Sequence, residues 1–176
     1  LAKQKEQQKK VDALNKQIEE MIAKQVRTTT TLTKEQQLIA GGFEANQGRL
    51  PWPVEKGFIS GYFGKHQHPV HEHVTINNKG IYLQTVAGAN ARAIYEGEVS
   101  SCAQINGNYA VIVQHGNYRT VYSPLKKIYV KQGDKVKAKQ AIGEIVTDTS
   151  EDNKTELYFQ IYKDRSIINP GLWLAQ

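Results

Sequence analysis

The chain has 176 residues, 39% of them hydrophobic, with a formal net charge of +6 and a pI near 9.3. That length allows one domain plus an extension, and the low apolar content places part of the chain outside any core. The positive charge favours anionic partners, among them cell-wall polymer, nucleic acid, a membrane surface or an acidic protein face. A single cysteine, Cys102, excludes an internal disulfide and a multi-cysteine zinc site, and no apolar run approaches the ~18 residues of a membrane span.

The chain opens at Leu1 with no signal peptide, which reads as a fragment whose targeting segment has been removed. Residues 1–27 contain no Gly, Pro or aromatic residue and are rich in Lys, Gln and Glu. Val11, Leu14, Ile18 and Met21 are spaced three, four and three, a heptad seam that Ile22 and Val26 widen. Gln4 and Gln7 occupy the preceding seam positions, so this piece is expected to be a solvated helix truncated from a longer coiled coil. The run Thr28–Thr31 weakens a helix, because β-branched side chains are stiff at χ1. Thr33 followed by Gln36 resembles a capping box opening a second, short helix, and Gly41-Gly42 is expected to stop it. Pro51 and Pro53 then flank Trp52, where no helix can continue.

From Val54 onward the texture is β, in short runs rich in β-branched and aromatic residues broken by Gly and Asn-Gly. Asn106-Gly107 signals a hairpin between Val99–Ile105 and Tyr109–Gln114. Further turns are expected at Gln132-Gly133-Asp134 and at Lys163-Asp164-Arg165. Lys135, Lys137 and Lys139 alternate as if on one face of a strand, with Val136 and Ala138 opposite. Such spacing predicts an antiparallel, mainly β domain carrying an N-terminal helical arm. The boundaries expected are a coiled-coil helix at 1–27, a linker with a short helix at 28–47, and the β domain at 48–176. With the apolar strands and aromatic residues so placed, the β domain is expected to fold without residues 1–45.

Four of the five histidines fall in His66-Gln67-His68-Pro69-Val70-His71-Glu72-His73, which invites a zinc site. Pro69 interrupts any continuous ladder of ligands, and a polar, His-rich loop accounts for the segment.

Five stretches in order carry a resemblance: GRLPWPVEKGFISGYFGKHQHPV, GIYLQTVAGANARAIYEGEVS, YAVIVQHGNYRTVYSPL, VKQGDKVKAKQAIGEI and LYFQIYKDRSIINPGLWL. Together, from about residue 48 to the C-terminus, they resemble the LytM (lysostaphin-like) metallopeptidase domain. The resemblance implies a β-sheet groove that binds peptidoglycan cross-links and a zinc-activated water that cuts them. It also implies a His-x-Gly-x-Asp segment and a His-x-His pair for the metal, and helper histidines in that pair and in a Tyr-x-His-Leu segment. His68-Pro69-Val70 matches a segment that holds no ligand, and His115 matches a structural position. At the ligand positions this chain has Asn78, Tyr82 and Tyr158, and at the helper positions Pro124 and Glu156. A neutral phenol or amide is a poor substitute for imidazole or carboxylate on zinc. One loss could be compensated; three could not.

The ending, with Tyr158 in place of the second histidine, is similar to EnvC-type division proteins, which join a coiled coil to a degenerate LytM domain. That resemblance implies a non-catalytic activator of a peptidoglycan amidase. Its metal-free groove would be lined by Tyr62, Asn78, Lys79, Tyr82, Arg119, Tyr122, Glu156 and Tyr158. It further implies a helical segment near the coiled coil that covers the groove, with the arm at residues 1–45 in the right place to do so. No cofactor and no nucleic-acid partner are expected. A division-machinery protein acting through the coiled coil is expected, in a periplasmic or otherwise extracytoplasmic setting. Two alternatives from other classes are a peptidoglycan-binding module, for which the aromatic and basic residues are suited, and an active zinc endopeptidase.

Overall fold

Two helices precede the strands in the computed structural model, which describes residues 2–28, 31–67 and 75–176. Helix α1 spans Ala2–Thr28, with side chains described from Lys5 onward, and α2 spans Lys34–Ala45. Thr33 caps α2, its side-chain oxygen accepting from the Gln36 amide at 3.1 Å, as the capping pattern requires. Gly41 and Gly42 lie inside this helix instead of ending it, and Asn46 forms the C-cap. The reason for Gly42 is close approach: a Cβ there would collide with the Tyr95 hydroxyl.

The strands run β1 (Phe58–Gly61), β2 (Gly64–Gln67), β3 (Thr75–Asn78), β4 (Ile81–Thr85), β5 (Asn90–Arg92), β6 (Gly97–Ile105) and β7 (Asn108–His115). They continue as β8 (Tyr118–Ile128), β9 (Lys135–Val136), β10 (Ala141–Ile145), β11 (Thr147–Asp148), β12 (Lys154–Lys163) and β13 (Ser166–Ile168). The main sheet is antiparallel with the order β1-β4-β12-β8-β7-β6-β9, while β2 and β3 pair antiparallel in a separate two-stranded sheet. Asn106 and Gly107 join β6 to β7 with φ of 55° and 83°, the left-handed pair that a two-residue hairpin needs. The expected lysine strand is cut short, because β9 ends at Val136 and Lys139 turns the chain at φ 70°. There the Lys139 amide donates to the Ala93 carbonyl at 2.7 Å.

Period-two alternation divides the sheet into two faces. On β12, Leu157, Phe159 and Ile161 join the principal core with Leu83, Tyr122, Val111 and Ile142. On the opposite face Tyr162 joins Ile105, Ala110, Ile112 and Val121, and α1 lies on this group through Ile18 and Ile22. Both isoleucines are fully buried, worth roughly 1.5–3 kcal/mol each. The helix expected to be solvated is therefore seated on its own domain, with Leu14, Met21 and Val26 partly buried against the same group and Val11 partly buried at its end.

The second helix is held on the other side of the sheet. Phe43 belongs to the principal core, its ring stacked on Tyr118 and His115 at 4.7 and 4.9 Å and tilted against Trp173 at 5.2 Å. Folding without residues 1–45 would remove that ring from the middle of the core, so the expected autonomy of the remainder does not follow. Among the described residues no helix is long and apolar enough to cross a membrane.

Candidate functional site

Neighbouring strands bring together the positions that the resemblance assigns to metal ligands. Tyr82 on β4 lies opposite Tyr158 on β12, and Tyr158 lies opposite Ser123 on β8. The two tyrosine rings stack at 4.7 Å between centroids, 22° apart in plane. One step along, Gln84 pairs with Glu156, whose carboxylate accepts from the Ser60 hydroxyl at 2.6 Å and has Lys154 Nζ at 3.7 Å. Asn78, at the end of β3, donates from its side-chain amide to the Tyr62 carbonyl at 2.9 Å. Tyr62, Asn78, Tyr82, Ser123, Pro124, Glu156 and Tyr158 all line an open groove of about 1410 Å³, with the N-terminal half of α1 along its other wall.

Helix α1 reaches the floor of this site. Asn15 is buried, and its side-chain oxygen accepts from the Tyr158 hydroxyl at 2.8 Å and from Gln160 Nε2 at 3.3 Å. One turn on, Glu19 pairs with Lys79 at 2.6 Å. A further turn and a half along, Gln25 accepts from Arg119 Nε at 2.7 Å. The short helix α2 takes no part in covering the groove; α1 does.

Of the expected groove residues, Tyr62, Asn78, Tyr82, Glu156 and Tyr158 come together and Lys79 stands at their edge under α1. Two do not belong. Tyr122 is fully buried on the core face, where its hydroxyl accepts from the Ile94 amide and from Thr120 Oγ1. The strand parity of β8 sends it away from Ser123 and the groove. Arg119 shares the groove's face but sits opposite Tyr162, four residues along β12 from Tyr158, and is buried beneath the C-terminal part of α1. Asn15, Ser60, Ser123 and Gln160 were missed. Alternation from Tyr158 would have found Gln160, and Asn15 is marked only by being polar on the arm's apolar side.

The donor set can be tested against a metal. Burial raises the Tyr82 phenol well above its ordinary range, with Tyr158, Glu156 and Asp12 adding to the effect. Burial likewise pushes Tyr158 up to about 12. Both phenols are thus protonated at neutral pH, and the Tyr158 proton is already committed to Asn15. A phenol that keeps its proton offers a divalent cation little, and Asn78 adds only a neutral amide. The residues do not fit a zinc ion. Among the described residues no three His, Cys, Asp or Glu side chains form a group able to hold a metal; His68, His71 and His73 lie outside the described residues.

The whole β domain has known counterparts. A chain of the SpoIIQ–SpoIIIAH pore forming complex superposes with a TM-score of 0.59 at 26% identity, covering 73% of this chain and 92% of that one. Csd3 of Helicobacter pylori superposes with a TM-score of 0.60 at 25% identity, over 74% of this chain and 36% of that one. In sequence the chain is 27% identical over 138 residues to the murein hydrolase activator EnvC of Escherichia coli, covering 77% of this chain and 31% of that protein. The chain spans about a third or less of the length of the curated relatives it matches. Residues 76–170, more than half of the chain, match the pattern of one family throughout, and on that ground this protein belongs to Peptidase family M23.

Proposed function

We propose that this protein is a non-catalytic activator of a peptidoglycan amidase and acts in the cell envelope, outside the cytoplasm. The observation that carries the reading is the state of the metal site. Where the resemblance places three metal ligands, the groove holds Asn78 and a stacked, protonated tyrosine pair that cannot activate water through zinc. The similarity to a murein hydrolase activator over 77% of this chain supports the same conclusion. In this reading the groove receives a segment of the amidase, with Tyr82 and Tyr158 as aromatic anchors of the kind that dominate interfaces. Helix α1 occupies the same floor and holds the protein in its inactive form until a division-machinery protein moves the arm.

The test is dye release from labelled sacculi by a peptidoglycan amidase. The chain alone should release nothing, the full chain should stimulate the amidase weakly, and a form lacking residues 2–28 should stimulate it strongly. Tyr82→Ala in that shortened form should weaken amidase binding by roughly 1–3 kcal/mol. Release by the chain alone, or no stimulation by the shortened form, would overturn the reading.

A further inference from the structure

Among the described residues, Arg119 is the only lysine, arginine, aspartate or glutamate that is fully buried. It stands on the sheet face that α1 covers, opposite Tyr162. A guanidinium taken out of water needs a counter-charge or a full set of acceptors, and this one has neither. Its one side-chain hydrogen bond among the described residues runs from Nε to the Gln25 side-chain oxygen, and it makes no ion pair with any of them. Asp164, on the exposed turn after β12, favours the charge only from beyond ion-pair distance.

Gln25 is as poorly matched as Arg119. Its Nε2 is buried without a hydrogen-bond partner among the described residues. Turning the amide over gives no relief, because its NH2 would then face the N–H groups of the guanidinium. Position 25 also lies one heptad after Ile18, in line with Val11 and Ile18 on the stripe that the sheet covers, so a polar side chain there breaks the apolar pattern. A carboxylate at the same place removes both faults, since each of its oxygens accepts from the guanidinium in the two-pronged geometry that arginine favours.

From this mismatch we infer that Arg119 is a receptor for a carboxylate on the partner that displaces α1, and that Gln25 is its neutral stand-in. The rest of the seat shows the same preference: Lys79 takes the Glu19 carboxylate at 2.6 Å. Positions 19 and 25 lie about 9 Å apart along a helix, so the partner segment is acidic and carries two carboxylates at about that separation. That the partner is an amidase rests on the proposed function; the receptor does not. An amide on Arg119 holds α1 more loosely than a carboxylate does, which lets an acidic segment take its place.

Amide exchange of α1 in the full chain reads the receptor directly. Gln25→Glu should slow exchange over the last turns of α1 about tenfold, the equivalent of one charge-assisted hydrogen bond. In an Arg119→Gln background the same substitution should slow nothing. In Arg119→Lys, which keeps the charge but loses the fork, it should slow exchange less. No slowing by Gln25→Glu, or equal slowing in all three backgrounds, would overturn the inference. Amidase stimulation by the full chain then reads the partner. Gln25→Ala and Arg119→Gln break the same hydrogen bond and loosen α1 alike, but only the second removes the receptor. Gln25→Ala should therefore raise stimulation and Arg119→Gln should not; equal stimulation by the two would overturn the carboxylate on the partner. Failure of every form to stimulate would fall on the proposed function, and the exchange comparison would still decide the receptor.

Discussion

The two helices of the arm touch the same sheet in opposite ways. Helix α2 commits one large aromatic side chain to the principal core: Phe43 is enclosed by Tyr95, His115, Tyr118 and Trp173. Its backbone comes so close to the β7–β8 turn that a Cβ on Gly116 would collide with Ala40, and the Gly116 amide donates to Gln36 Oε1 at 2.9 Å. Helix α1, more than twice as long, rests on two buried isoleucines with Leu14, Met21 and Val26 partly buried around them, and on a row of polar contacts made by Asn15, Glu19 and Gln25. Length is thus a poor guide to attachment. An apolar plug makes α2 part of the fold, whereas the mixed contact of α1 can be undone without exposing the main core.

Deletion gives the largest expected effect. Removing residues 2–28 should leave a cooperative thermal transition, whereas removing residues 2–45 should abolish it. A cooperative transition in the second protein would erase the distinction between the helices. The same contrast should appear with Phe43→Ala, expected to cost about 3–5 kcal/mol in denaturant unfolding as a buried aromatic is replaced by a cavity. Ile18→Ala, at the edge between helix and sheet, should cost less, about 2 kcal/mol, at the bottom of the range for buried aliphatics.

Acid should weaken the α2 anchor. Burial holds His115, stacked under Phe43, at about 4, below its ordinary 6.5, against the opposing hydrogen bond to the Glu96 carbonyl. Because the folded-state value is the lower one, the stabilisation is complete above pH 6.5. It is lost as the pH falls from there toward 4, by on the order of 3 kcal/mol in all. Stability measured across that window should fall in the wild type and flatten in His115→Gln. The smallest effect belongs to α1: the Lys79–Glu19 pair is half-exposed, at 38% and 44%, so Lys79→Ala should cost no more than about 1 kcal/mol, and less in high salt. Amide exchange of α1 at two salt concentrations measures it.

Much of the fold was legible residue by residue. Asn106-Gly107 specifies its hairpin because both positions need positive φ, and Thr33 caps α2 because its hydroxyl meets an orphan amide three residues on. The groove was legible in part. Tyr82 and Tyr158 were found through the family resemblance, but the same resemblance admitted Tyr122, since a matched motif does not say which face of β8 a side chain takes. Gly41-Gly42 misled for a similar reason, as a pair that ends many helices here lies inside α2, where Gly42 makes room for Tyr95.

What the residues determined by themselves is chemistry: amide and phenol at positions 78, 82 and 158 cannot do the work of imidazole and carboxylate, whatever surrounds them. Burial only deepens this, by keeping the phenols protonated. What only the tertiary structure decided is the partner of each apolar face. A stripe repeating along α1 reports that something apolar covers it, and a sheet or a second helix satisfies that equally well. The covering surface is assembled from Ile112, Val121 and Tyr162, strands more than ninety residues away, and no local spacing encodes their meeting with Ile18.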